Sequence, residues 1–221
     1  MTYKQLLAAA ALTAFLPTLL TGCMTLSEPF NYTAFKESRP KSILVLPPLN
    51  NSPDVKASLS MLSKVTYPLA ESGYYVMPVT LVEKILKENG MTTSADIHLI
   101  SRDKLTKIFG ADAVLYITVT HYGTTYHVID SETRVSVKAE LIDLKTGVNL
   151  WNGAASASSY ENANHSNGLF EQLLMAAVKQ VVNTVADASS EYADIASRRL
   201  LSAGRTNGLL YGPRALEYGT D

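Results

Sequence analysis

The chain of 221 residues is 47% hydrophobic and 18% charged, the composition of one globular domain with appendages rather than of a disordered or fibrous polypeptide. Its formal charge of −1 offers no basic excess for nucleic acid and no acidic tail. The single cysteine, Cys23, excludes an internal disulfide, and with four histidines it leaves little from which to build a structural zinc site.

Lys4 is the only charged residue before Cys23, and Leu6 to Leu20 is almost wholly apolar. A positive start, a short greasy run and then small residues are the layout of a secretory signal. About 15 apolar residues fall short of the ~20 that a permanent membrane helix needs. The run ends in Leu20-Thr21-Gly22-Cys23, which resembles a bacterial lipobox, where the cysteine is diacylated on sulfur, freed by cleavage and acylated on its new amino group. Residues 1–22 are therefore expected to be a lipoprotein signal peptide and Cys23 the lipidated first residue of the mature chain. Acyl chains contribute ~0.8 kcal/mol per buried methylene, so several chains anchor a protein stably where one does not. Met24 follows, not the Asp that resembles an inner-membrane retention signal. The expected location is the outer membrane, with the domain facing the periplasm.

Residues 23–41, with Pro29 and Pro40 and no sustained periodicity, read as the lipidated Cys and a tether. Ile43 to Leu46 is a short apolar strand stopped by Pro47-Pro48. From Asp54 onward Val55, Leu59, Leu62, Val65 and Leu69 recur at helical spacing, and Pro68 should kink or end that helix. Tyr74 to Val79 reads as a second strand. Thr80 is placed to cap a helix through Glu88 with Leu81, Ile85 and Leu86 inward, and Glu83 has capping-box spacing. Ser101 opens a further helix that Gly110 closes in the C′ role.

Residues 111 to 158 hold three strands, with turns at Asp130–Glu132 and at Lys145–Gly147. Parity puts Ala113, Leu115, Ile117 and Val119 on one face of the first strand and Tyr116, Thr118, Thr120 and Tyr122 on the other. On the second strand Val135, Val137, Ala139 and Leu141 alternate with Arg134, Ser136, Lys138 and Glu140. Gly123 is a place where a bulge would reverse the parity beyond it. Phe170, Leu173, Leu174, Ala177, Val181 and Val185 form a helical stripe, a weaker helix spans Glu191 to Ala203, and the Gly-rich end contains the apolar Leu209, Leu210 and Tyr211. The order β-α-β-α-α-β-β-β-α predicts an α/β fold with a mixed sheet and helices mainly covering one face, as a single domain over 42–188 followed by a C-terminal helix and docking tail over 189–221.

Motif-borne chemistry is sparse: the chain contains no GxGxxG, P-loop, HExxH, CxxC or GxSxG. His121 and His127 lie on one face of a regular strand and, with Asp130, are the metal or hydrolase candidates. Asp130 and Glu132 fit a solvated turn, Ser156 to Ser159 a solvated strand end, and Trp151 a core position. Tyr116, Tyr122 and Tyr126 would form an aromatic strip for a partner, or else lie under a helix or the tail. Leu209, Leu210 and Tyr211 are too apolar for a free tail and should dock on the domain or on a partner. The hairpin around 113–144 approaches the length of barrel strands, but Arg134, Lys138 and Glu140 face outward.

The segments "YPLAESGYYVMPV", "IFGADAVLYITVTHYGTTY", "AELIDLKTGVNLW" and "LLYGPR" resemble a family of Gram-negative outer-membrane lipoproteins of unknown function, of the meningococcal genome-derived antigen type. The resemblance covers essentially the whole mature chain. It implies a fold similar to the TolB amino-terminal domain, with kinship to the lipoproteins CsgG and LpoB. It further implies a non-catalytic binding or assembly component of a cell-envelope or secretion-related complex. The partners so implied are the membrane through the anchor, envelope proteins that include other small lipoproteins, and other copies of the chain; no cofactor, metal or nucleic acid is expected. The alternatives are an envelope hydrolase or metal-binding enzyme using His121 and His127, and a small-molecule carrier.

Overall fold

The computed structural model describes residues 29–126, 130–163 and 188–221. The expected signal peptide and lipobox (Leu20, Thr21, Gly22, Cys23), His127 and the expected Phe170–Val185 stripe lie outside the described residues. Asn31–Asp221 form one compact unit that contains all the helices and strands of the described residues.

The folded unit begins at Asn31, eleven residues earlier than the expected residue 42, because the supposed tether contains a helix, α1 (Thr33–Ser38). Asn31 Oδ1 accepts the Thr33 N–H at 3.0 Å, Phe35 is buried, and Arg39 closes the helix at φ 45° with its N–H on the Phe35 carbonyl. Then come β1 (Ser42–Val45), β2 (Leu49–Asn50), α2 (Ala57–Glu71), β3 (Tyr75–Val76), α3 (Val79–Glu88), α4 (Ser94–His98) and α5 (Arg102–Phe109). Three long strands follow, β4 (Ala113–Tyr126), β5 (Ser131–Asp143) and β6 (Asn149–Ser158), with α6 (Tyr160–Ala163) and α7 (Ala188–Leu201).

The sheet order is β3-β1-β4-β5-β6, with β2 also paired to β4. The β1, β2 and β3 pairings are parallel, and β4-β5-β6 is an antiparallel meander. One face carries Leu115, Ile117 and Val119, paired with Leu141, Ala139 and Val137, and is covered by α2 and α7. The other is covered over its parallel part, where Val82, Leu86, Ile97 and Leu105 pack on Leu44, Leu46 and Val114. A fully buried leucine contributes ~1.5–3 kcal/mol relative to its exposed state, so these two layers hold the fold.

Local chemistry adjusts several boundaries. Helix α2 starts at Ala57, leaving Val55 and Leu59 exposed, and its buried side is Ala57, Met61, Leu62, Val65, Pro68 and Leu69. Pro68 does not end α2, because it sits in the last turn. It cannot donate to the Lys64 carbonyl as a helix interior requires, and Ser197 Oγ on α7 donates to that carbonyl instead, at 3.0 Å. The proline that weakens one helix thus docks another on it. Helix α3 begins after Pro78 with no side-chain cap; Glu83 pairs with Lys87 at 2.7 Å rather than closing a capping box, and Val82, not Leu81, is inward. The short α4, which no periodicity announced, is capped by Thr93 Oγ1, which accepts the Asp96 N–H at 3.1 Å. Helix α5 follows Ser101 and ends at Gly110, φ 63°, as expected.

Small residues let α7 lie close to the sheet: Ala193, Ala196 and Ser197 on the helix are fully buried, and a Cβ at Gly153 on β6 would stand 2.6 Å from Cη2 of the Trp151 ring. Trp151 is the core residue the sequence indicated, and its indole N–H donates to the Asn207 carbonyl at 3.0 Å.

Candidate functional site

The three tyrosines do not form a strip. The β4–β5 register shifts between Val119 and His121, ahead of the glycine suspected of a bulge. Tyr122 therefore turns onto the covered face, where it is 2% exposed and its hydroxyl donates to Ser60 Oγ at 2.9 Å. Tyr116 stays on the other face, half-buried, with the His98 ring set edge-on at 5.1 Å. Burial raises its phenol pKa, partly offset by the Arg102 charge. Only Tyr126, 79% exposed near the end of the ribbon, is presented to solvent. Thus Tyr122 is a core residue, not a partner contact.

Other proposed chemistry is tied into structure. His121 is half-exposed opposite Ser136, and among the described residues no three His, Cys, Asp or Glu side chains converge for a metal ion. Asp130 Oδ2 accepts the Tyr160 hydroxyl at 2.8 Å, and Glu132 Oε1 accepts Ser158 Oγ–H at 2.6 Å. The Ser158 bond, reinforced by Arg134 and opposed by some desolvation, holds the Glu132 carboxyl below its ordinary range. Ser159 Oγ accepts the Thr133 N–H at 3.1 Å. His98 Nε2 lies 3.0 Å from the Pro47 carbonyl, and burial lowers its pKa despite that contact.

The apolar tail docks on the domain. Leu209 is 1% exposed, the Tyr74 hydroxyl donates to the Leu210 carbonyl at 2.6 Å, and Tyr32 donates to the Gly208 carbonyl at 2.5 Å. Gly212 N donates to Ser72 O at 2.7 Å and Arg214 N to Gly73 O at 3.0 Å. The backbones meet so closely that a Cβ on Gly212 would lie 2.7 Å from the carbonyl carbon of Gly73. This explains "LLYGPR" structurally, and it removes Leu209 from the candidate partner contacts.

Leu210 and Tyr211 are half-exposed, and with α1 they line a half-open cavity of ≈ 280 Å³. Its aromatic walls are Phe35, Tyr74, Tyr211 and Tyr218; Lys36 and Arg39 stand at its rim with Asp221. Lys36 Nζ donates to the Asp221 carbonyl at 2.8 Å, Tyr211 N donates to Asp221 Oδ2 at 2.5 Å, and Arg39 Nε donates to Lys36 O at 3.0 Å. Burial, and after it the nearby Asp221 charge, raises the pKa of Tyr74, so that phenol stays neutral. The arrangement suits recognition of one side chain or a small head group: flat apolar walls with a few oriented polar groups. Sequence reasoning missed Phe35, Lys36 and Arg39 because they fell in the presumed tether. Tyr32 and Phe35, three apart in a short polar stretch, were the available signal.

Asp143 fastens this corner. Its carboxylate accepts Ser38 Oγ–H from the end of α1, the Thr146 N–H at 2.6 Å and Thr146 Oγ1–H at 2.9 Å. Burial alone would raise its pKa, but these hydrogen bonds outweigh it and leave the group below the ordinary carboxylate value.

The family model described as "Putative lipoprotein GNA1162-like" matches residues 30–214. The curated "Putative lipoprotein NMB1124/NMB1162" of Neisseria meningitidis serogroup B is 50% identical over 200 residues, 90% of this chain and 92% of that protein. The crystal structure of lipoprotein GNA1162 from Neisseria meningitidis is 52% identical, with a TM-score of 0.53, covering 65% of this chain and 99% of the other. The LpoB C-terminal domain from Salmonella enterica is a more distant likeness, 19% identical with a TM-score of 0.39 over 54% of this chain and 83% of its own. No helix among the described residues is long and apolar enough to cross a membrane.

Proposed function

The chain belongs to the GNA1162-like lipoprotein family, and from that premise we propose that it is an outer-membrane-anchored periplasmic lipoprotein acting without catalysis, as a binding or assembly component of a cell-envelope complex. The observation that carries this reading is the cavity between α1 and the C-terminal tail. It is a recognition site by composition, and one of its walls is the first helix of the described residues after the proposed anchor. The stretch from Cys23 to Thr33 is at most about 36 Å fully extended, so lipidation at Cys23 keeps the cavity near the bilayer and its partners. Confinement raises the effective concentration of other anchored proteins, so that a small cavity suffices where a free protein would need a larger interface.

The test uses the full chain in its native membrane, with a photocrosslinking residue in place of Tyr218 at the cavity rim. The expected result is one discrete protein adduct, lost in a Lys36→Ala/Arg39→Ala double variant and lost when Cys23→Ala releases the protein from the membrane fraction. Adducts with lipid alone, or the same protein adduct from the soluble Cys23→Ala form, would overturn the reading.

A further inference from the structure

Sheet edges in stable proteins are blunted against stray pairing, and one end of β6 carries such a device. Arg199 on α7 donates from Nη1 to the Ser156 carbonyl at 2.7 Å and holds Glu161 at 3.0 and 2.5 Å. Glu161 Oε1 in turn accepts the Ser158 N–H at 3.1 Å. The backbone groups of Ser156 and Ser158 therefore point away from β5. Orientation along a strand alternates with a period of two, so the N–H and C=O of Asn152 and Ala154 point outward as well. Among the described residues these groups have no hydrogen-bond partner, and the blunting stops short of them.

The two residues open on a groove of ≈ 650 Å³, whose far wall is the loop over residues 204–208. Ala154, Gly204 and Gly208 bring nothing larger than a methyl group to it, so another main chain can lie along the strand. The charge of Arg199 is already matched by Glu161, whereas Arg205 in the same groove is exposed and has no acidic partner among the described residues.

We propose that this window on β6 receives an extended segment of a partner protein by strand addition, with an acidic side chain of that segment paired to Arg205. A second copy of the chain is the poorer occupant, since a two-fold pairing of β6 with itself would bring two unmatched Arg205 side chains to one short seam. The proposal deepens the binding role above, and it concerns a different face from the cavity between α1 and the tail.

The test uses the full lipidated chain in detergent micelles and a defined probe, the blocked peptide acetyl-Thr-Val-Thr-Glu-Thr-Val-Thr-amide, with a Glu-to-Lys version as its pair. Titration is followed by the amide resonances of Asn152 and Ala154 and by the indole of Trp151. Saturable shifts at these three signals are expected with the acidic peptide. Arg205→Glu should weaken that peptide at least fivefold and strengthen the lysine version. Ala154→Pro removes an outward N–H but no bond of the β5–β6 ladder, so it should fold normally by circular dichroism and lose both peptides. The proposal is overturned if the amides do not move at millimolar peptide, if charge reversal leaves affinity unchanged, or if the same signals shift with protein concentration alone, which would assign the edge to a second copy. Failure here with Tyr218 crosslinks intact removes the window and leaves the cavity reading standing.

Discussion

The Pro68–Ser197 arrangement allows a quantitative test of how α7 is held to the domain. Ser197 is fully buried and its hydroxyl satisfies the Lys64 carbonyl that Pro68 leaves without a helical donor. Ser197→Ala should cost about 1–3 kcal/mol, the penalty of a buried carbonyl losing its partner. At roughly 2–4 °C per kcal/mol for a domain of this size, the melting temperature should fall by ~2–12 °C. Pro68→Ala supplies an N–H to the same carbonyl while losing some buried ring contact, so its own sign is not the test. The double variant is: with the carbonyl satisfied within α2, Ser197→Ala should cost about 1 kcal/mol less than in the parent. The assay is urea unfolding of all four forms, followed by fluorescence of Trp151, the sole tryptophan, which lies under α7. Additivity within about 0.3 kcal/mol would refute the reasoning, since it would mean the hydroxyl and the proline act on unrelated groups.

Leu209→Ala should destabilise by about 2–5 kcal/mol as a core truncation, whereas Leu216→Ala, at a side chain 98% exposed, should stay within ~0.5 kcal/mol; equal effects on melting temperature would return the tail to the set of free docking segments. Tyr122→Phe should cost about 1 kcal/mol through the lost Ser60 contact and Tyr126→Phe almost nothing, a contrast that thermal melts resolve and that an exposed tyrosine strip would not give. Asp143 has a folded pKa below its unfolded one, so its contribution to stability is present above the unfolded value near pH 4 and is lost as pH falls through the folded value. Melting temperature measured from pH 6 down to pH 3 should therefore drop less steeply in Asp143→Asn than in the parent; parallel curves would contradict the assignment.

The β4–β5 ribbon shows what the sequence could and could not tell. Strict alternation over Ala113–Val119 and Val135–Leu141 made the apolar face legible, because period-two patterning is imposed by the pleat itself. The bulge after Val119 was not legible: Thr120 and His121 have no special backbone chemistry, and the one glycine nearby drew attention to the wrong place. One extra residue moved Tyr122 from candidate surface to core. Helix α1 was hidden for a different reason. Its six residues are too few for periodicity to register, and it is held by contacts from Gly208 and Asp143, far away in sequence. The cavity inherited that blindness, since it joins residues at opposite ends of the chain.

For a chain anchored at Cys23, as proposed above, the early start of the folded unit sets how far the domain can range. A tether running through residue 41 would let the domain range up to about 65 Å from Cys23, whereas a chain fixed from Thr33 onward is limited to about 36 Å. Four contacts do the fixing: the burial of Phe35, and the bonds of Tyr32 to Gly208, Lys36 to Asp221 and Ser38 to Asp143. They join α1 to the tail and to the turn between β5 and β6, at the corner that lines the cavity. The β6 window sits at the edge of the same sheet, one strand away from the long ribbon that ends in the exposed Tyr126. With Cys23 lipidated, as proposed, a domain held short and at one corner would present these features at restricted heights above the bilayer, and partners anchored in the same membrane would meet them within a thin layer rather than in a free volume.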